Sequence, residues 1–506
     1  MRIIRLSLIL GLVGGILLNA SAQKVISLEE AMQIALENSP DIRQSRISME
    51  RSRELLNAQL AMLKSHISFN VSPIDYSVSD TYEEYFSQWY KKERISSGGG
   101  LTIAQPIKWT DGTLMLSNNF EYLNTKSDVN STDPLNPGIT TKEYSGFNNN
   151  LYLSYNQPLF TYNRTQMNLK RNQLSLENAT LAYSIQMLSM ERYVSQAFYS
   201  IYQKQMSVLI SQEEFENQKV SLEIIRSKVE GGLSAQEELL QAELNYATSK
   251  SSLDNSLVDL ENSMDQFKQL IGLSLFDDIK ISTDIQYKPV LVDVDKAIEN
   301  GLTQRLELSQ RKIDLNNAEF DLIETMATNE FKGDVKLSLG LMGNNEKFPQ
   351  IYDKPTRSPQ VGVTFSIPIF DWGERKARIR AAELSVESKQ IDLKELEKDI
   401  VINIRKTFRN LQNLSTQIAI AEQNVKNAQL TYEINLERYR NGDLTSIDLE
   451  RYQNQLSQKK MDFSNAQINY KLELLNLKIQ SLWDFENNIS FVPLELQQNI
   501  NLYKTE

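Results

Sequence analysis

Val361-Gly-Val-Thr-Phe-Ser-Ile-Pro-Ile-Phe370 alternates apolar residues with small or polar ones, and Asp371-Trp-Gly373 then opens a long run without proline. The alternation predicts a strand with Val361, Val363, Phe365, Ile367 and Ile369 on one face and Gly362, Thr364 and Ser366 on the other. The run that follows has helical periodicity. It stops at Arg438-Tyr-Arg-Asn-Gly442 and restarts at Leu444-Thr-Ser-Ile-Asp-Leu-Glu450. Strand, very long helix, tight reversal and returning helix is the expected order. The same plan stands earlier: Asn150–Phe160 as strand, Arg164–Glu230 as helix, Gly231-Gly232 as reversal and Ser234–Leu240 as return. Pro158 stands as far before Gly232 as Pro368 stands before Gly442, and equal spacing over so long a span marks an internal duplication.

Working outward, Ser27-Leu-Glu-Glu30 begins a helix with a capping box, expected to run to about Lys64. Val294–Leu302 and Arg305–Leu308 read as its duplicate, with Ala31 matching Ala297 and Pro40-Asp-Ile42 matching Leu306-Glu-Leu308. Between these helices and the long ones lie β segments. In the second half they are Val335–Leu341 and the strand from Val361, joined by a polar loop over Asn344–Ser358. The apolar/small-polar alternation suits a water-filled lumen, and equally one layer of a soluble sheet. The stretch from Ala31 to Pro158 is much longer than its counterpart from Ala297 to Pro368. Ile67–Val78, Gly100–Pro106, a turn at Asp111-Gly112 and Leu114–Tyr122 fill the surplus, read as an additional hairpin over about residues 80–135. Tyrosines are dense there, as at membrane interfaces or in an aromatic-rich soluble sheet.

The chain has 506 residues, a net charge of -11 and no cysteine. The charge argues against a nucleic-acid partner. The missing cysteines exclude disulfides, thiolate chemistry and a lipidated cysteine. His66 is the single histidine and reads as an ordinary polar residue. Arg2 and Arg5, the apolar Leu6–Leu18 and Ala20-Ser-Ala22 predict a signal peptide over residues 1–22. No later segment has 18 consecutive apolar residues, so a spanning chain must use a β-barrel. Four strands, or six with the hairpin, are too few to close one, which implies that several chains share it. Arg164–Glu230 would extend roughly 100 Å at 1.5 Å per residue. Its seam of Leu174, Leu181, Ile185 and Leu188 suits coiled-coil packing. The expected organisation is a first repeat over 23–284, a second over 285–484 and a tail over 485–506, with Gly272 and Pro289 flanking the linker. Catalytic, cofactor and metal-ligand constellations are not found.

In their order, duplication and equal spacing, these features resemble the TolC family of trimeric outer-membrane channels. The resemblance covers nearly the whole chain after residue 22. It rests on the Ala31 and Ala297 helix starts, Pro158-Leu-Phe160 and Pro368-Ile-Phe370, and Gly232–Glu238 with Gly442–Asp448. It implies a mainly α fold with membrane β: a shared trimeric β-barrel continuous with a long α-helical coiled-coil barrel. The expected function is the outer-membrane duct of a tripartite efflux system, a homotrimer in outer-membrane lipid reaching into the periplasm. Its partners would be a periplasmic adaptor and an inner-membrane transporter, with no cofactor. Type I protein secretion is the alternative, and a periplasmic coiled-coil adaptor or structural protein is the alternative of another class. The extra hairpin departs from the family.

The resemblance places the site at the helix tips. Gly231, Gly232, Leu233, Gly442 and Leu444 would dock the adaptor; turn geometry alone also explains the glycines. Glu238, Tyr439, Asp448 and Arg451 would form a constriction, with Tyr439 tied to Glu238. Arg451 stands where the family has a second acid. Ser234 with Glu237 and Thr445 with Asp448 also fit capping boxes, so the acids equally suit helix starts.

Overall fold

The computed structural model describes residues 24–85, 87–130, 138–232, 234–282, 287–441 and 443–493. The expected signal peptide, Leu233, Gly442 and residues 494–506 lie outside them. In chain order the elements are β1 (Lys24–Ile26), α1 (Leu28–Asn38), α2 (Pro40–Met62), β2 (His66–Glu83), β3 (Gln88–Ile107), β4 (Gly112–Asn130) and β5 (Ile139–Leu159). There follow α3 (Arg164–Glu230), α4 (Gln236–Ile271), β6 (Ile279–Ile281), α5 (Val294–Gln304), α6 (Leu306–Met326), β7 (Lys332–Asn345) and β8 (Thr356–Ser366). The chain closes with α7 (Glu374–Arg440), α8 (Ser446–Ser481), β9 (Trp483–Asp484) and β10 (Ile489–Ser490). The duplication is visible in element lengths: α3 and α7 each have 67 residues, α4 and α8 each 36, α1 and α5 each 11.

Two compact units are formed, one from Met1–Ser48, Thr180–Gln310 and Lys394–Glu506, the other from Met49–Ala179 and Arg311–Leu393. In the first, β1 pairs in parallel with β6, placing Ile26 opposite Ile281. Ile26, Ala31, Ile42, Phe267 and Ile271 are fully buried, and each large apolar side chain contributes about 1.5–3 kcal/mol by leaving water. Ser27 and Glu30 form the expected capping box. The expected single helix to Lys64 is broken at Ser39, whose φ of -58° and ψ of 131° are extended. The residue before a proline avoids the helical region, and Pro40 can start a helix but not continue one. The linker is also not featureless. Gly272 ends α4 with φ 76°, and a Cβ there would lie 2.5 Å from the Asn38 carbonyl oxygen, so only glycine lets the ends of α4 and α1 meet.

The expected C-terminal tail begins as ordered structure. β9 pairs with β10, the Phe491 N–H donates to the Leu482 carbonyl at 2.8 Å, and the Lys478 ammonium lies 4.0 Å from the Phe491 ring centre. Asp484 anchors this corner. Its carboxylate accepts from the Glu486 N–H at 2.9 Å, the Asn487 N–H at 3.1 Å, the Asn487 amide at 3.0 Å and the Lys478 ammonium at 3.1 Å. Burial pushes its pKa up, but the Asn487 and Lys478 hydrogen bonds and the Lys478 charge outweigh it and hold the group below the usual carboxylate range. A depressed pKa stabilises the fold above the ordinary carboxylate range and ceases to do so as pH falls through the depressed value. Glu191, 3.9 Å from Lys478, is raised by burial, so its protonation on acidification works the other way. Asp484→Asn is expected to lower unfolding free energy near neutral pH by about 1.5–3 kcal/mol. It should also flatten the acid limb below roughly pH 4, read by denaturant titration of the detergent-solubilised protein at several pH values.

The second unit holds one antiparallel sheet of six strands in the order β2-β3-β4-β5-β7-β8. The extra segment of the first half therefore belongs to the same sheet as the other strands. β2 to β5 reach 18 to 21 residues, well beyond the short runs legible in the sequence, and the outer halves of β3, β4 and β5 are largely polar on both faces. The expected polar loop after β7 contains a 3-10 turn at Phe348–Tyr352 with Ile351 buried. A Cβ at Gly343 would sit 2.1 Å from the Ile351 carbonyl oxygen, which is why this turn can lie on the strand. β8 ends at Ser366, before Ile367. The β3–β4 turn caps α3: the Asp111 carboxylate accepts from the Thr165 N–H at 3.0 Å, and Asn163 accepts from the Gln166 N–H at 2.8 Å.

Candidate functional site: the two-faced sheet and the helix tips

Directly paired residues of an antiparallel ladder share a face. One row therefore runs unbroken across all six strands as Ile67, Ile103, Leu116, Leu153, Leu339 and Pro359. The next on that face is Phe69, Leu101, Asn118, Leu151, Leu341 and Arg357. The opposite face carries Ser68, Thr102, Ser117, Tyr152, Gly340 and Ser358 in register, and beside them His66, Ala104, Met115, Ser154, Ser338 and Gln360. The apolar face is open: Ile67, Phe69, Leu101, Leu116, Leu153, Leu339 and Val361 are all exposed. Aromatic rings border it at both ends. Phe120, Tyr122, Phe147 and Phe348 pack with ring centres 5.1–6.0 Å apart. Phe160, Phe331 and Phe365 pack at 5.4 and 5.7 Å. Beyond the first border the same face turns charged, with Glu93 opposite Lys126 and Lys126 opposite Glu143. Among the described residues both outer strands, β2 and β8, leave one edge without a partner strand.

At the first helix tip, the Gly231 N–H donates to the Ser227 carbonyl at 3.1 Å and the Gly232 N–H to the Val229 carbonyl at 2.9 Å. Gly232 has φ 72°, the left-handed region glycine enters without penalty, and nothing lies within 4 Å of its missing Cβ. Leu222, Ile225 and Ala242 bury together beneath the reversal, with Val229, Leu239 and Tyr246 packed on them. The second tip closes alike, with the Asn441 N–H donating to the Glu437 carbonyl at 3.1 Å and the Asp443 N–H to the Arg438 carbonyl at 2.9 Å. Leu444 is half-buried and Arg451 exposed.

The two proposed caps differ. Thr445 is the N-cap of α8 and accepts from the Asp448 N–H at 3.2 Å, while its hydroxyl donates to the Asp448 carboxylate at 2.7 Å. The Ser234–Glu237 box is not formed. Ala235 takes the N-cap position without a side-chain bond, and the Ser234 hydroxyl, one residue too early, donates to the Glu238 carboxylate instead. Among the described residues of the chain Tyr439 is not tied to Glu238, and its hydroxyl is buried without a hydrogen-bond partner. Its ring faces the Lys228 ammonium at 5.3 Å. That cation–π contact joins the last turns of α3 and α7, and the Asn245 amide donates to Glu450 at 2.8 Å between α4 and α8. Burial and the Glu450 charge push the Glu214 carboxyl above its usual range. Sequence reasoning missed Lys228, Asn245 and Glu450, because nothing local signals the rotational phase of one long helix against another. It also missed two exposed apolar pairs, Val220 with Ile224 and Leu430 with Ile434. Within each pair the residues are one helical turn apart, and the second pair stands at the repeat equivalent of the first; both were readable signals.

Among the described residues no helix is long and apolar enough to cross a membrane, and no acidic, histidine or cysteine group clusters as a metal site.

The family model described as outer membrane efflux protein matches twice, over residues 119–273 and 330–479, once in each repeat. The outer membrane protein TolC of Escherichia coli K12 is 22% identical over 236 residues, 46% of this chain and 48% of that one. The chain thus spans about half the length of the curated relatives it matches. Among solved structures, the CmeC outer membrane channel of Campylobacter jejuni superposes with TM-score 0.68 at 15% identity, covering 94% of this chain and 89% of that one. The outer membrane protein VceC of Vibrio cholerae gives 0.63 at 13% identity, covering 89% and 94%. These likenesses establish the fold, mainly α with a sheet and an internal duplication. With more than half its residues inside the two family matches, and each match falling on one of its two repeats, the chain belongs to the outer membrane efflux protein family.

Proposed function

We propose that this chain is the outer-membrane channel of a tripartite efflux system. Three copies share one β-barrel, and the helices form a passive duct that docks a periplasmic adaptor of an inner-membrane pump. The observation that carries this reading is the two-faced sheet with two open edges. Its apolar face suits lipid and its small polar face a water-filled lumen, and lipid does not tolerate an open strand edge. The stretch from Phe147 to Leu159, between the aromatic borders, extends about 40 Å at 3.4 Å per residue. Tilted by about 45°, it rises about 28 Å, close to the roughly 25 Å apolar band of outer-membrane barrels. A coiled-coil adaptor or soluble structural protein has no use for such a face.

Gly231, Gly232, Leu233, Gly442 and Leu444 are the proposed docking tips, with the exposed pairs Val220/Ile224 and Leu430/Ile434 as apolar contacts beside them. Glu238, Tyr439, Asp448 and Arg451 are the proposed constriction. The sequence after residue 22, expressed behind a signal peptide, is expected in the outer-membrane fraction as a heat-resistant trimer. Deleting the gene should sensitise cells to the pump's substrates. A stable soluble monomer would end the reading.

A further inference from the structure

We propose that three copies of this chain close one eighteen-stranded barrel, six strands each, through a seam that sets Ile367 and Phe365 of one copy opposite Phe69 and Val71 of the next. The inference rests on the export-duct reading and specifies its copy-to-copy interface. It starts from the seam inside the chain, where β5, the last strand of the first repeat, pairs with β7, the first strand of the second. The next seam of the same kind would join β8, the last strand of the second repeat, to β2, the first strand of the first. These are the two strands with an open edge.

The duplication supplies the register. One offset carries Arg164 at the start of α3 onto Glu374 at the start of α7, and the same offset carries Pro158 onto Pro368. A second offset carries His66 at the start of β2 onto Lys332 at the start of β7, and likewise Ala31 onto Ala297. Applied to the internal pairs Gln157–Val335, Tyr155–Leu337 and Leu159–Gly333, the two offsets set Ile367 opposite Phe69, Phe365 opposite Val71 and Ile369 opposite Ile67.

Three further observations agree with that register. It joins apolar face to apolar face, whereas a slip of one residue would turn every side chain over. The residues of β5 equivalent to 367–369 are paired with β7, but in the single chain 367–369 have no strand partner and Ile369 is 94% exposed. The helices flanking the two seams differ in the same sense. Ile313 is 3% exposed and its equivalent Ile47 64%, while Leu181 is 6% exposed and its equivalent Ile391 51%. Pro73, inside the Ser72–Asp75 irregularity of β2, and Pro359 of β8 limit regular pairing to the helix-side part of the seam. Eighteen strands put the barrel in the class that leaves an aqueous channel.

The chain has no cysteine, so engineered pairs report without background. Opposed Cβ atoms lie about 4.5–5.5 Å apart and diagonal ones about 7–8 Å, and only the former are near disulfide range. Outer membranes carrying Ile367→Cys/Phe69→Cys or Phe365→Cys/Val71→Cys are oxidised with copper phenanthroline. The crossed pairs Ile367→Cys/Val71→Cys and Phe365→Cys/Phe69→Cys are treated alongside. The direct pairs should give a covalent trimer in at least tenfold higher yield than the crossed pairs. Should any of these variants fail to assemble under reducing conditions, Ile369→Cys/Ile67→Cys tests the same register. Crossed pairs linking as well as direct ones, or no linkage in variants that still run as heat-resistant trimers and export, would overturn the seam and leave the duct reading standing. A wild-type chain that is a soluble monomer removes both.

Discussion

Gly232→Asp is expected to reduce export at least tenfold while leaving the trimer and its outer-membrane insertion intact. The reversal can accommodate the side chain, since nothing lies within 4 Å of the Cβ position. The left-handed φ of 72° costs a non-glycine residue about 1–2 kcal/mol, and aspartate is among the residues that bear it best. A carboxylate just past the C-terminal end of α3 adds roughly 0.3–1 kcal/mol through the helix dipole. Both terms are small for a tip held by the buried Leu222, Ile225 and Ala242, in a chain that left the sheet at Leu159, before the whole length of α3. A loss of export therefore reports a blocked partner contact. Gly232→Ala, with at least as much strain but no charge and little bulk, should export normally. Gel mobility of the unheated trimer and drug sensitivity of cells decide it. If Gly232→Asp fails to assemble, the glycine is structural and the docking proposal loses its support.

Leu339→Arg is expected to abolish outer-membrane assembly, and Ser338→Arg is expected to permit it. The two residues are neighbours in β7 and lie on opposite faces. Leu339 sits in the apolar row with Leu153 and Pro359, Ser338 in the polar row with Ser154 and Gln360. An arginine at the mid-plane of a lipid-facing barrel surface costs about 2–4 kcal/mol, and three copies bring this to about 6–12 kcal/mol per trimer. Facing a wet lumen, the same charge stays hydrated and costs little. Trypsin resistance and trimer yield in outer-membrane fractions measure the difference. Equal assembly of both variants would mean that neither face meets lipid. The two experiments separate the parts of the proposal: the first leaves the sheet untouched, and the second leaves the tips untouched.

What the chain alone determines here is its periodic content. Two-residue alternation in Val361–Ser366 specifies a two-faced strand before any fold is known, and a long helical run bounded by Asn163 and Gly231 specifies α3. The repeat is likewise a property of spacing, and it reappears as helices of equal length. Boundaries that depend on one residue's backbone were partly legible. Pro40 marks the break after Ser39, although the pattern on either side reads as one helix. The tertiary structure decided whatever depends on which surfaces meet. The outer halves of β3 to β5 lack alternation, and they are strands because neighbouring strands take up their backbone hydrogen bonds. Ser234 and Thr445 look like equivalent caps in the sequence, yet α4 and α8 both begin four residues after their glycine, so Thr445 stands at the N-cap position while Ser234 falls one residue before it and turns to Glu238. Tyr439 stands over Lys228 because of how the last turns of α7 and α3 face one another, which neither helix's own sequence states. Periodicity states how often a side chain returns to a face; only packing states which face its neighbour presents.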